Sequence, residues 1–222
     1  GYAGTGKTFM LNETIAAMNE AATLAKNKGY ELFGLAPSNS AVTTLKEEAG
    51  VEGWTLQRFL MKYQGVAEGR LTSRGRQALQ KEWSRRLIVV DESSLASTRQ
   101  VRDLFVITRA LGVRKLALIG DEKQLGSVEA GKAFELLQTR GLPTASMTEI
   151  RRQEDETLRK SVYAAIGGDI AQSFKLLNDR IIAAPGREAE TAAKLWATLS
   201  PDKRAGTLVI SQSNVMRREM NE

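Results

Sequence analysis

Gly1-Tyr-Ala-Gly-Thr-Gly-Lys7-Thr8 opens the chain and fills every fixed position of the pattern G-x-x-x-x-G-K-[ST]. Gly1, Gly4 and Gly6 let the backbone take positive φ and approach a ligand closely. The N–H groups of such a loop, Thr5 among them, curl around α- and β-phosphates. Lys7 then reaches the β- and γ-phosphates, and the Thr8 hydroxyl is a ligand for Mg²⁺. The following segment is apolar at Leu11, Ile15, Met18, Ala22 and Ala25, a helical period. Its positive dipole end adds to the anion site, and Gly29 is placed to cap its far end. The loop therefore predicts a bound nucleoside triphosphate. Such a loop joins a buried strand to a helix. No strand stands ahead of Gly1, so the sheet is expected to lack its first strand, and the loop to be mobile or distorted and empty of nucleotide.

Outward from the loop, apolar runs alternate with amphipathic helical stretches, the pattern of a parallel α/β sheet. Strands are expected at Glu31–Ala36, Leu87–Val90, Lys115–Ile119 and Thr207–Ser211, with a shorter one near Thr144–Thr148. Helices are expected after the loop and over Ser38–Glu48, Thr55–Tyr63, Ser73–Ser84, Arg99–Leu111 and Lys132–Thr139. Gln64–Leu71 reads as a polar loop. Residues 155–178 read as two short helices broken at Gly167-Gly168. A further helix is expected over Glu188–Leu199, then a turn at Ser200-Pro201-Asp202. The division predicted is residues 1–153 as a P-loop core and 154–222 as the opening of a second domain.

Three polar clusters fall where strands end. Leu87-Ile-Val-Val-Asp91-Glu92 is a strand apolar on both faces that closes on two carboxylates. Ligands of open α/β sheets bind at the strands' carboxyl ends. Asp91 there suits Mg²⁺, a hard cation that prefers oxygen. Glu92 suits the group that orients or deprotonates an attacking water. Leu118-Ile-Gly120-Asp121-Glu122-Lys123-Gln124-Leu125 repeats the arrangement, and Gln124 could hydrogen-bond a γ-phosphate oxygen or that water. Glu149-Ile-Arg151-Arg152-Gln153 supplies guanidinium groups for a transferring phosphoryl group, or equally an interface salt-bridge cluster.

The composition sets limits. The 222 residues are 42% hydrophobic, enough for a real core, and fit one or two domains. No apolar run reaches the roughly 18 residues of a membrane span, and no signal peptide is visible, which points to the cytoplasm. Histidine and cysteine are absent, which excludes disulfides, Cys/His zinc sites and His-based triads. The net charge of +6 favours a polyanionic partner such as nucleic acid.

In this order and spacing the blocks resemble the RecD-like branch of the superfamily 1 helicases. GYAGTGKT resembles motif I, Ala36-Pro37-Ser38-Asn39-Ser40-Ala41 motif Ia, and Thr55-Leu56-Gln57-Arg58-Phe59-Leu60 the next single-strand contact motif. VVDESS resembles motif II, GDEKQL motif III and EIRRQ motif IV. The wording is most similar to the helicase module of MobF-type (TraI/TrwC-like) conjugative relaxase-helicases, and the likeness runs from residue 1 to about 221. It implies a RecA-like P-loop motor domain 1A and the start of a domain 2A. It implies ATP- and Mg²⁺-dependent 5′-to-3′ translocation on single-stranded DNA, with further helicase and relaxase domains and the conjugation machinery as partners. Lys7, Glu92, Gln124 and Arg152 would be catalytic, Arg152 as an arginine finger. Thr8 and Asp91 would hold the metal, and Pro37, Ser38, Asn39, Thr55 and Arg58 would lie on the DNA face. Counterparts of motifs V and VI are missing, so residues 1–222 alone are expected to show weak or no motor activity. A His often stands in the family where Gln57 stands here.

Other readings fit the same residues. A catalytically idle RecD-like module could bind DNA or serve secretion recognition, although Lys7, Thr8, Asp91 and Glu92 are intact. A GTPase would need an N-K-x-D signature, and Asn27-Lys28-Gly29-Tyr30 lacks the Asp. Arg70, Arg74, Arg76, Lys81, Arg85 and Arg86 form either a phosphate patch or a solvated helix face. Phe59 is expected in the core, and Trp54, following Gly53 in a turn, is expected to be exposed and available for base stacking.

Overall fold

The computed structural model describes residues 5–24, 26, 29–121, 132–211 and 213–221, with the backbone alone at Thr8 and Asn19. The chain divides into two compact units, residues 1–159 and 160–222.

The first unit is built on a four-stranded, all-parallel sheet in the order β2-β1-β3-β4, formed by β1 (Glu31–Ala36), β2 (Gly53–Thr55), β3 (Arg86–Val90) and β4 (Lys115–Leu118). Side chains alternate between its faces. Leu35, Ile88 and Val90 point into one core with Phe59, Trp83, Leu104 and Ile107. Ala36 and Val89 point into the other with Leu11, Leu45 and Ala49. The first face is covered by α3 (Leu56–Lys62), α4 (Gln64–Ala67), α5 (Ser73–Trp83) and α6 (Thr98–Ala110), and the second by α1 (Lys7–Leu24) and α2 (Asn39–Ala49). The unit continues through α7 (Ala133–Thr139), and the division falls inside α8 (Glu156–Ile166).

Within the first face five aromatic rings pack edge to face. Trp83 meets Phe33, Phe59 and Tyr63, and Phe33 meets Trp54. The Trp83 indole N–H donates to the Tyr63 hydroxyl at 3.1 Å, so its one polar atom is satisfied in the core.

Several elements differ from the sequence reading. Gly53–Thr55 is a strand rather than a turn, and Trp54 is half-buried on it, not exposed. Gly53 permits this, because a Cβ there would sit on the backbone carbonyl of its sheet partner Gly34. Gln64–Leu71 is not wholly a loop: α4 buries Val66. The Thr144–Thr148 segment pairs with no strand among the described residues. Gly29 takes φ 61, in the left-handed region, and residues 25, 27 and 28 between it and Leu24 lie outside the described residues, as does the expectation that it caps α1.

The second unit is helical among its described residues: the rest of α8, α9 (Ile170–Leu176), α10 (Glu188–Ala197), α11 (Pro201–Ala205) and α12 (Asn214–Asn221). The break at Gly167-Gly168 holds, with Gly168 at φ 86 and Asp169 accepting from the Gln172 N–H at 2.9 Å to start α9. Buried Ser161 bonds to the Ser173 hydroxyl at 2.8 Å. Pro201 begins a helix instead of sitting in a turn, since its missing N–H costs nothing in the first turn. Thr207–Ser211 is no strand here. Leu208 and Ile210 are 83% and 84% exposed, and an extended segment needs a neighbour to complete its hydrogen-bond ladder.

Candidate active site

β3 delivers Asp91 and Glu92 to the carboxyl edge of the sheet. The Asp91 N–H donates to the Leu35 carbonyl at 2.8 Å, which carries the β1 pairing one residue past the strand. The chain then turns sharply. Glu92 sits at φ 47, ψ 39 in the left-handed region, a conformation that costs a non-glycine residue about 1–3 kcal/mol. Its N–H donates to the Asp91 Oδ1 at 2.9 Å. A 3-10 turn, Ser93–Leu95, follows, and Ser97 caps α6. Strain of this kind at a strand end fits a side chain held for a purpose rather than for packing.

The environment of Glu92 supports that reading. Its Oε2 is buried without a hydrogen-bond partner. Burial raises the carboxyl's pKa above the usual range, and the Asp91 and Asp121 charges push the same way, while Lys7 and Arg152 pull it back. Lys7, Asp91, Asp121 and Arg152, from four separate stretches of sequence, thus share one electrostatic field with Glu92.

Two serines hold the neighbouring loop in place. The Ser93 N–H and hydroxyl both donate to the Ile119 carbonyl, each at 2.8 Å, and Ser93 is 2% exposed. The Asp121 N–H donates to the Ser94 hydroxyl at 3.5 Å, a long contact. Gly120 lets the two loops approach, since a Cβ there would lie 3.0 Å from the Ser94 nitrogen. Asp121 is 3% exposed and belongs to the site, although the sequence reading gave its loop's role to Gln124.

Of the phosphate loop, Gly6 takes φ 81, Thr5 is buried, and the Met10 N–H donates to the Gly6 carbonyl at 2.9 Å as α1 begins at Lys7. Thr8 lies in the first turn of α1. Gly1, Gly4 and Gln124, and the expectation of a distorted loop, lie outside the described residues.

The residues given to a DNA face line the same edge. Pro37, Ser38 and Asn39 are exposed directly after β1. Ser38 is the N-cap of α2, its hydroxyl oxygen accepting from the Ala41 N–H at 3.2 Å. Thr55 does the same for α3, accepting from the Arg58 N–H at 3.2 Å. Two helix N-termini therefore face this edge, each favouring an anion. Beside them a cavity of about 670 Å³ is lined by Pro37, Gln57, Asp91, Glu92 and Gln100.

Half of the basic run from Arg70 to Arg86 is occupied by contacts within the protein. Arg70 pairs with Glu68, and Arg85 donates to the Gly29 carbonyl. Arg86 contacts Glu31 and Glu82 while stacking on Trp83. Arg151 pairs with Glu149 at 3.0 Å.

Comparison with known proteins resolves the family. A model described as AAA domain matches residues 1–187. The chain belongs to the AAA domain family. Its P-loop NTPase fold agrees with the parallel sheet and flanking helices. This AAA domain is 33% identical over 175 residues to the multifunctional conjugation protein TraI of Escherichia coli K12, covering 78% of the chain and 9% of TraI. It is 30% identical over 229 residues to the conjugal transfer protein TraA of Agrobacterium fabrum, covering 99% of the chain and 19% of TraA. It is also 30% identical over 236 residues to the RecBCD enzyme subunit RecD of Mycolicibacterium smegmatis, covering 98% of the chain and 39% of RecD. The chain spans well under half the length of these curated relatives. Their identities agree with the RecD-like resemblance. No helix among its described residues is long and apolar enough to cross a membrane.

Proposed function

We propose that this AAA domain is part of an ATP-dependent DNA helicase of conjugative transfer, coupling ATP hydrolysis to 5′-to-3′ movement on single-stranded DNA. In this reading residues 1–153 form motor domain 1A and 154–222 open domain 2A. The carrying observation is Glu92: a strained, half-buried carboxylate with one oxygen unpartnered, in the combined field of Lys7 and Arg152. A carboxylate of raised proton affinity next to phosphate-binding cations suits a general base for water.

Lys7 would bind and orient the β- and γ-phosphates. Glu92 would take a proton from water as its oxygen bonds to the γ-phosphorus and the bond to ADP breaks. Arg152 would balance charge on the transferring phosphoryl group. Gln124 would sense the γ-phosphate. Among the described residues no three carboxylates converge on a metal cage. Mg²⁺ binds through one or two protein oxygens plus water and phosphate. Thr8 and Asp91 would hold this ion, which when bound neutralises phosphate charge.

The names of the relatives, conjugation proteins and a RecBCD subunit, support nucleic acid as the track. Pro37, Ser38, Asn39, Thr55 and Arg58 would meet the strand at the carboxyl edge. The test is ATP turnover and single-stranded-DNA binding by the intact parent protein and its Lys7→Ala variant. The reading expects turnover to fall at least about a hundredfold, the scale of losing one preorganised charge contact, with DNA binding kept. Equal turnover in the two proteins contradicts it. Turnover absent from both, with DNA bound, would favour an idle binding module.

A further inference from the structure

We propose that Trp54, Arg58 and Lys62 form a binding shelf for the phosphodiester backbone of single-stranded DNA at the β2 edge of the sheet. The proposal rests on the DNA-motor reading above and adds Trp54 and Lys62 to its track. Arg58 and Lys62 stand one helical turn apart on α3 and so share a face. The Arg58 guanidinium carbon lies 4.7 Å from the Trp54 ring centroid, and the Lys62 ammonium nitrogen lies 4.5 Å from it. Lys62 is also 5.4 Å from the Tyr63 ring.

Neither cation has a carboxylate within ion-pair distance among the described residues, in contrast to Lys46, Arg70, Arg86, Arg99 and Arg102. Two like charges held against one ring repel, and the ring's negative face offsets this only in part. An anion between or beside them relieves the repulsion. The platform is rigid: Trp54 is half-buried on a strand, and its ring meets Phe33 edge-on at 5.2 Å. Little ordering is therefore left for a ligand to impose.

Position selects the occupant. Thr55 is level with Ala36 in the parallel register, which sets the β2–α3 corner beside Pro37, Ser38 and Asn39. An exposed hydroxyl and amide and a helix N-terminus lie at this edge, and the two cations continue from it along α3 over Trp54. A repeating polyanion with stackable bases fits such a track better than a single phosphate does.

The experiment measures equilibrium binding of labelled oligothymidylate by the intact parent protein across a salt titration. Each phosphate contact contributes about 0.7 to the slope of log K against log salt for single strands. Arg58→Gln/Lys62→Gln is expected to lower that slope by about 1.4 and weaken binding roughly tenfold or more. Lys62→Arg alone should keep the wild-type slope, as should Lys46→Gln in the last turn of α2, away from that helix's N-terminus. An unchanged slope in the double variant, with wild-type binding intact, overturns the shelf and leaves the motor reading standing. A slope lowered by about 0.7 in Lys46→Gln overturns it too, because binding would then follow net charge alone. No salt-dependent binding by the wild type overturns both.

Discussion

The side-chain amide of Gln100 donates to the Gln57 side-chain oxygen at 3.3 Å, joining α6 to α3 across the cavity's lining. The Gln100 oxygen meanwhile accepts from the Ser97 N–H at 2.9 Å, and the Ser97 hydroxyl accepts from the Gln100 N–H at 3.2 Å. One residue thus closes the capping box of α6 and touches the helix that carries Arg58. The loop running from Glu92 to Ser97 is tied at its far end to the proposed DNA face.

The two functions of Gln100 can be separated. Gln57→Leu removes only the interhelical bond and should cost about 1 kcal/mol or less, because both groups are accessible to water. Ser97→Ala removes the cap and should cost about 1–2 kcal/mol. Urea unfolding of the two variants measures the order, and a larger loss in Gln57→Leu would contradict it.

Glu92→Gln should stabilise the protein in metal-free buffer at neutral pH. The folded-state pKa of Glu92 is raised, chiefly by burial and then by Asp91. The folded state therefore holds this proton more tightly than the unfolded chain. Stability is fullest below the unfolded carboxylate pKa and falls as pH rises toward the folded value. Gln has no such cost. Thermal melts of both proteins with EDTA from acid to neutral pH should show Gln's advantage growing with pH. An advantage that shrinks over that interval would contradict the raised value.

Ser93→Ala should destabilise by about 0.5–1.5 kcal/mol, since the hydroxyl bond to the Ile119 carbonyl is lost while that carbonyl keeps the Ser93 N–H. It should also lower ATP turnover in the intact parent by loosening Glu92, at unchanged nucleotide affinity. Denaturant titration with nucleotide binding checks this, and wild-type turnover in a clearly destabilised variant would contradict the second part.

Trp83→Ala should cost about 3–5 kcal/mol, the scale for deleting a fully buried large ring. Trp83→Phe should cost less, keeping the ring contacts while leaving the Tyr63 hydroxyl without its donor. Guanidinium unfolding of the pair decides, and a near-neutral Trp83→Ala would contradict the aromatic core.

The sheet was legible wherever strands are long and apolar on both sides. Glu31–Ala36 has the bounds expected, and β3 and β4 differ from expectation by a residue. β2 was hidden because three residues carry no period, and its evidence is spatial: Gly53 can lie against Gly34 only without a side chain. Thr207–Ser211 misled for the opposite reason. Its apolar run has strand chemistry, but strand formation depends on a neighbour that no local pattern reveals. At the site, motif spacing named Lys7, Asp91, Glu92 and Arg152, and the fold brings the charges of the other three to bear on the Glu92 carboxyl. Asp121 stood in a recognised motif, but its burial was invisible. Gln100 gave a local signal, Ser97 three residues ahead as in a capping box, yet its reach to Gln57 was not readable. The pairing of Lys62 with Trp54 follows from a helix crossing a strand that the sequence did not disclose.

The central claim is that Glu92 is the base of a DNA-stimulated ATPase. It is tested most directly by single-stranded-DNA-stimulated ATP turnover in the intact parent protein carrying Glu92→Gln, with ATP affinity measured alongside. The account predicts ATP binding within a few-fold of wild type and turnover reduced by about a hundredfold or more, the scale of a lost general base. Turnover within a few-fold of wild type, at equal ATP affinity, would contradict it.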